Sequence, residues 1–91
     1  MNDSAIPTRR PEVAWRVIEG EAVVVDPRAG ITYPLNTVAT RCWEMADGSR
    51  PVATIISAVI EEFDAPEEQI KQDVEGFIQD LQSKGLLELR S

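Results

Sequence analysis

Few side chains in this sequence could carry out catalysis. Its 91 residues include no histidine and one cysteine, Cys42. A nucleophilic cysteine needs a neighbouring base or another group that lowers its pKa, and the common zinc sites need several Cys and His ligands. Cys42 lies beside Trp43 on the predicted inward face of a helix, where a free thiol packs as a small apolar side chain. We therefore expect a protein that is not an enzyme and has no metal, no disulfide and no bound cofactor.

Two groups of neighbouring carboxylates have a structural explanation. Glu61, Glu62 and Asp64 could bind a cation, but they lack the alternating ligand spacing and the central glycine of a calcium loop. Glu67 and Glu68 lie at the start of a predicted helix, where negative charges are favourable. Both groups are interpreted as solvent-exposed helix ends.

The charge balance argues against a nucleic-acid partner. The chain has 16 Asp and Glu residues against 9 Lys and Arg residues, a net charge of −7. Affinity for phosphate groups depends largely on clustered Lys and Arg, and Arg9-Arg10 is too short for such a cluster. The longest uncharged stretch, residues 51–60, has about half the length of a bilayer-spanning helix. We expect a cytoplasmic protein that binds neither nucleic acid nor membrane.

The first half of the sequence predicts an antiparallel sheet. Residues 1–12 are rich in polar residues and proline and are expected to form a flexible tail. Three runs rich in β-branched and aromatic residues follow, AWRVIE, AVVVD and ITYPL, and they are typical of strands. Glu19-Gly20 and residues 26–30 are suited to tight turns. The third strand, residues 31–35, is expected at an edge of the sheet, where Pro34 is tolerated.

The spacing of apolar residues predicts three helices after the strands. They lie between residues 36 and 48, 51 and 64, and 66 and 85, with suitable capping residues at their ends. After the third helix, three leucines within residues 86–89 are expected to fold back on the core. The order of three strands followed by three helices predicts one α+β domain over residues 13–91, similar to a winged helix-turn-helix. The third helix has the clearest apolar stripe, formed by Ile70, Val74, Phe77, Ile78 and Leu81.

An edge strand beside an amphipathic helix is a template for adding an extended peptide. The alternative is an edge that Pro34 and the N-terminal tail protect. Two interpretations of Tyr33 stay open, because its ring could face the core or form a wall of a binding groove. The same free edge could pair with a second copy of the chain, so both a monomer and a dimer are compatible with the sequence.

The segment from Leu35 to Gly48, LNTVATRCWEMADG, resembles the signature of PqqD-like proteins. These are peptide chaperones, or precursor-recognition elements, of pathways that make ribosomally synthesised peptides. Asp73-Val74, Phe77, Leu81 and the run GLL at residues 85–87 also match the family, so the resemblance covers nearly the whole chain outside the tail. The signature positions in the first segment are Leu35, Asn36, Ala39, Trp43, Asp47 and Gly48.

The resemblance implies a non-catalytic adaptor without a cofactor. In this family the leader of a precursor peptide adds as a further strand along the third predicted strand and packs against the third helix. The adaptor presents the peptide to a modifying enzyme, often a radical S-adenosylmethionine protein. Transferred to this chain, the contacts would come from Ile31, Thr32, Tyr33 and Pro34 on the strand and from Ile70, Asp73, Val74 and Phe77 on the helix.

Two other functions are compatible with the sequence. A structural or regulatory subunit would dock on a larger biosynthetic enzyme through an apolar surface and bind no peptide. A DNA-binding winged helix follows from the predicted fold alone, and the charge argues against it. If a peptide does bind, Asp73 and Asp80 predict that basic residues in it favour association in a salt-dependent way.

Overall fold

Two antiparallel sheets and three helices make up residues 2–90, the part of the chain that this computed structural model describes. Met1 of the predicted tail and Ser91 of the predicted domain lie outside the described residues. The elements in chain order are β1 (Ile6–Arg9), β2 (Ala14–Ile18), β3 (Glu21–Asp26), β4 (Ile31–Pro34), α1 (Thr37–Met45), α2 (Val52–Glu62), α3 (Glu67–Ser83) and β5 (Leu87–Arg90).

Strands β2, β3 and β4 form an antiparallel meander with β3 in the centre. Val24 of β3 pairs with Trp15 on one side and with Tyr33 on the other. Directly opposed residues of antiparallel strands share a face, so these three side chains lie on the face that contains the buried Val24. The predicted α+β fold, with a three-stranded sheet followed by three helices, is confirmed.

The turn between β2 and β3 is as tight as the sequence predicts. Glu19 and Gly20 both have positive φ angles, 52° and 83°, as a two-residue type I′ turn requires. At the next turn, the buried Asp26 carboxylate accepts a hydrogen bond from the backbone N–H of Arg28 at 3.0 Å. These two turns fix β4 as the third strand of the meander.

The N-terminal segment differs from the flexible tail expected over residues 1–12. Ile6–Arg9 form β1, which pairs antiparallel with β5 at the other end of the chain. Just before β1, the carbonyl of Ala5 accepts a hydrogen bond from the N–H of Val52 at 2.9 Å, at the start of α2, which has no side-chain cap. The sequence pattern did not reveal β1, because the strand is short, contains Pro7 and pairs with residues about 80 positions away.

The core lies between the helices and the inner face of the meander. Trp43, Val59 and Val74 contribute fully buried side chains from α1, α2 and α3. Leu86 and Leu87 are also buried, so the end of the chain folds back on the core as expected. Within residues 2–90, none of the helices has the length and apolar content needed to cross a membrane.

Candidate functional site

Strand β4 is an edge strand of the meander. It pairs with β3 on one side, and within residues 2–90 no strand pairs with its other side. The backbone groups on that side are therefore available to another extended segment. Ile31 is 46% exposed, and Thr32 and Pro34 are exposed as well.

A groove of about 430 Å³ separates β4 from the C-terminal half of α3; we call it the β4–α3 groove. Residues 33–36 line it on the strand side, and Ala39 of α1 completes it. The residues that line it from the helix are Phe77, Asp80 and Leu81 of α3 and Lys84, the residue that caps its C-terminal end.

The position of α1 fixes one end of this groove. Asn36 caps α1, since its Oδ1 accepts a hydrogen bond from the N–H of Ala39 at 2.8 Å. Thr40 in the first turn of the helix accepts a hydrogen bond at Oγ1 from the N–H of Ala22 in β3, at 2.7 Å. This bond satisfies a buried backbone donor and joins the helix to the meander, so β4 leads into the start of α1 at a fixed position.

Tyr33 combines the two roles that the sequence left open. Its side chain is half-buried and packs against the core, and it also lines the β4–α3 groove. The Nζ of Lys84 lies 4.8 Å from the centroid of the Tyr33 ring, which is within the range of a cation–π interaction. Tyr33 thus presents an aromatic surface to the groove, with a cation above it.

Lys84 connects the two sides of the groove. Its Nζ lies 2.6 Å from Oδ2 of Asp80, one helical turn earlier, and the same ammonium group lies over the Tyr33 ring of β4. Asp80 is therefore paired, and its negative charge is largely offset. Asp73 is exposed and accepts a hydrogen bond from Nε2 of Gln69 at 2.9 Å, so the acidity expected from these two aspartates is reduced at Asp80.

The structure brings only some of the predicted site residues together. Tyr33, Pro34 and Phe77 line the groove, and Ile31 and Thr32 lie along the same open edge. Asp73 is exposed one helical turn before Phe77. Ile70 and Val74 are not among the residues that line the groove; both pack in the core.

This difference has a geometric reason. Along α3 the groove lining begins at Phe77, whereas Ile70 and Val74 in the first half of the helix are buried among the core residues. Leu81, which is buried, and Lys84 also line the groove but were not predicted to do so, although they follow Phe77 by four and seven positions and thus share its helix face. That spacing is the signal that could have identified them.

The thiol of Cys42 is part of the core, as predicted. Cys42 is 1% exposed, and burial raises its pKa from 9.0 to about 12, which keeps it protonated at neutral pH. Among residues 2–90, no group of three or more Cys, Asp or Glu side chains is placed to hold a metal ion.

Comparison with known proteins identifies the family to which this chain is similar and solved structures with a similar fold. The family model described as "Coenzyme PQQ synthesis protein D (PqqD)" matches residues 21–87. A relative named PqqA binding protein, from Rhizobium meliloti (strain 1021), is 31% identical over 72 residues, which are 79% of this chain and 71% of that protein.

Two solved structures have a similar fold. A structure of TbiB1 in complex with the TbiA(beta) leader peptide has a TM-score of 0.78 at 23% identity, covering 89% of this chain and 94% of that one. A structure of lasso peptide synthetase B1 complexed with the leader peptide has a TM-score of 0.78 at 18% identity, covering 91% and 98%. The family match extends from β3 into β5 and so includes β4, α3 and the groove between them. The chain therefore belongs to the PqqD family, as its sequence resemblance indicated.

Proposed function

We propose that this chain is a non-catalytic adaptor that binds the leader of a ribosomally synthesised precursor peptide by strand addition and presents it to a modifying enzyme. The observation that carries the proposal is the open edge of β4 beside the β4–α3 groove. The relatives support it: one is named PqqA binding protein, and both similar folds were solved with a leader peptide.

The backbone of β4 would supply the first part of the binding energy. A guest strand would lie roughly 4.8 Å from β4, with alternate side chains directed into the groove. The N–H of Leu35 donates to the carbonyl of Ala22 in β3, so by the alternation of antiparallel pairing Tyr33 also bonds β3. The backbone groups of Thr32 and Pro34 therefore face the open edge. Pro34 has no N–H group to donate, so the pairing depends mainly on the N–H and C=O of Thr32 and on the C=O of Pro34. Each hydrogen bond contributes a modest net stabilisation of about 1 kcal/mol, since it replaces a bond to water.

Apolar contacts in the groove would supply the second part. Tyr33, Pro34 and Phe77 together offer a surface for two or three apolar side chains of the guest, with the buried Leu81 beneath them. Each such side chain contributes about 1.5–3 kcal/mol on burial, while ordering a flexible peptide costs about 2–5 kcal/mol or more. The balance corresponds to micromolar affinity, about −8 kcal/mol, which suits an adaptor that must also release its peptide.

The site that we propose therefore differs in part from the set expected from the sequence. Its strand side is Ile31, Thr32, Tyr33 and Pro34. Its helix side is Phe77 together with Leu81 and Lys84, and Asp73 lies at its margin. Ile70 and Val74 support α3 from within the core and make no contact with the guest.

An amide-shift titration tests both the binding and its place. The protein is labelled with ¹⁵N and titrated with the leader segments of the small precursor peptides encoded beside its gene. We expect the largest shifts in residues 31–35 and 77–84. Absence of shifts with every leader, or shifts confined to another surface, would contradict the proposal.

A charged substitution in the groove tests its contribution directly. We expect Phe77→Asp to weaken leader binding about tenfold or more, because it removes one apolar contact and places a carboxylate in the groove. Gln72→Asp is the matched control, since Gln72 is exposed on the opposite face of α3. Both variants are first checked for a native-like amide spectrum. Equal affinities of the two variants and the native protein would argue against a role of Phe77.

A further inference from the structure

The opposite edge of the meander has exposed apolar side chains that the β4–α3 groove does not use. Trp15 and Val17 are 38% and 42% exposed, and they lie on the same face of β2 because they are two residues apart. Their partners across β3, Val24 and Ala22, are buried. The meander therefore extends beyond the core at β2 and leaves two large apolar side chains in contact with solvent.

A cavity of about 220 Å³ lies beside Trp15. Residues 8–11, at the end of β1 and in the loop that follows it, form one wall, and Ala46 and Asp47, which follow α1, form another. The charged side chains that line it are Arg9, Arg10 and Asp47. This volume is suited to one or two side chains of another polypeptide and is too small for a drug-sized ligand.

Trp15 is held in place before any partner arrives. The guanidinium group of Arg9 lies 5.0 Å from the centroid of its ring, and the ring packs edge-to-face against Trp43 at 6.1 Å between centroids. Arg9 in turn donates hydrogen bonds from Nη1 to the carbonyl oxygens of Trp43 and Glu44, at 2.7 and 2.8 Å. A side chain that is already fixed loses little conformational entropy on binding.

The hydrogen-bonding groups around this cavity favour an acidic ligand. Arg10 forms a long ion pair with Glu88, 3.4 Å between Nη1 and Oε1, and its side chain is 33% exposed, so the outer guanidinium nitrogens are incompletely paired. Its Nε is buried and out of a ligand's reach. Asp47 already accepts hydrogen bonds from the N–H and the hydroxyl of Ser49 and lies 3.6 Å from Arg50. Hydrogen-bond donors around the cavity thus outnumber free acceptors, because Asp47 already has partners. The ligand group that complements these donors is a carboxylate.

We propose that Arg10, Trp15 and Val17, which we call the β2 face, form the docking surface for the modifying enzyme, and that the enzyme contributes a carboxylate next to an apolar side chain. This inference rests on the proposed function. Tryptophan and arginine are the residues that most often dominate the binding energy of protein interfaces, and here both lie beside a cavity in an otherwise acidic protein.

The position of the β2 face suits an adaptor. β2 and β4 are the two edges of one sheet, separated by β3, so they are roughly 10 Å apart. An enzyme docked on the β2 face lies next to a peptide on β4 without covering the β4–α3 groove. Peptide and enzyme can then bind at the same time, which presentation of the peptide requires.

Charge-reversal variants test the proposal with two binding measurements. The probes are the purified modifying enzyme encoded beside this chain's gene and a fluorescent leader peptide. We expect Arg10→Glu and Val17→Glu each to weaken binding of the enzyme about tenfold or more, with leader affinity within about twofold of the native value. Arg10→Gln should cause a smaller loss than Arg10→Glu, and binding of the native protein to the enzyme should weaken as salt increases.

Two variants are matched controls. Ile18→Glu introduces the same charge on the opposite face of β2, where Ile18 is 51% exposed. Arg90→Glu reverses an exposed arginine at the far end of β5. Both should retain native affinity for the enzyme, and an amide spectrum verifies the fold of every variant.

The outcomes separate this inference from the proposed function. If the Arg10 and Val17 variants bind the enzyme as tightly as the controls while leaders still bind at β4, the docking surface is wrong and the proposed function stands. If no leader binds to the native protein, the proposed function fails whatever the enzyme does. A native dimer that Val17→Glu converts to a monomer would assign the β2 face to a second copy of the chain and overturn the inference.

Discussion

At the scale of single residues, Cys42 illustrates how burial determines chemistry. Its pKa is raised from 9.0 to about 12 by desolvation, so the reactive thiolate is scarce at neutral pH. We expect native protein to resist modification by a thiol reagent at pH 8, and unfolded protein to react at once. Absorbance of the released chromophore measures both rates. Rapid labelling without unfolding would show that the side chain is accessible.

The same pKa difference has a consequence for stability. Because the folded pKa lies above the unfolded one, the contribution of Cys42 is complete below about pH 9 and is lost as the pH rises through about 12. Thermal unfolding of the native protein and of Cys42→Ala across this range should therefore converge at high pH. Parallel curves would indicate that the thiol does not titrate in the folded state.

Lys84 predicts how the groove responds to charge. Lys84→Met keeps the aliphatic stem and removes the ammonium group that pairs with Asp80 and lies over Tyr33. The groove becomes more acidic, so we expect leaders with Lys or Arg near their apolar residues to bind several-fold more tightly at low salt. The gain should largely vanish at about 1 M salt, where the screening length is about 3 Å.

A matched variant separates the local charge from the net charge of the molecule. Lys71→Met removes the same charge from an exposed position on α3 outside the groove and should leave the salt dependence nearly native. For both variants we expect the free energy of unfolding to change by less than about 1 kcal/mol, as is usual for exposed ion pairs. If leader affinity has the same salt dependence in both variants, Lys84 does not set the charge of the groove.

At the scale of elements, substitutions at two glycines are expected to change the free energy of unfolding in opposite directions. Gly48 follows α1 with a φ of 84°, and a Cβ there would approach Oγ1 of Thr8 to 2.9 Å. Gly76 lies within α3, where a Cβ meets nothing within 4 Å. We expect Gly48→Ala to lower the free energy of unfolding by at least about 1–2 kcal/mol, and Gly76→Ala to raise it by about 0.5–1 kcal/mol. Urea unfolding measures both free energies. A lower free energy of unfolding for Gly76→Ala would contradict the open space around this position of α3.

The elements also show which parts of the fold the sequence could predict. The meander and the helices follow from local signals, such as the Glu19-Gly20 turn and the Asn36 cap. β1 and β5 depend on pairing between the two ends of the chain, for which a short strand containing Pro7 gives no local signal.

The residues of the candidate site also differ in how far the sequence could predict them. The open edge was predictable from the pattern and Phe77 was implied by the family resemblance, whereas the boundary between core and groove along α3 was not predictable. That boundary depends on where β4 and the start of α1 lie relative to the helix, which is a tertiary relation. Ile70 and Val74 therefore had the same periodicity as the groove residues and a different environment.

At the scale of the whole molecule, a radius of gyration of 12.4 Å leaves little distance between any two surfaces. The β4–α3 groove and the β2 face are two edges of one sheet and share β3 as their common neighbour. The first of these surfaces was predicted from the edge strand beside an amphipathic helix and from the family resemblance. The second became visible only when the tertiary structure showed which apolar side chains of β2 remain exposed.

The pairing of β1 with β5 has a further consequence. It places Ile6, the start of β1, opposite Arg90, the end of β5, so the first and last strands of the unit end side by side, and residues 3–5 lead from there to the start of α2. Such an arrangement permits insertion of the whole unit into a loop of a host protein with little distortion of the host or of the unit. It also permits circular permutation of the unit. A linker joined at one terminus would then hold the unit at nearly the same spot as a linker joined at the other.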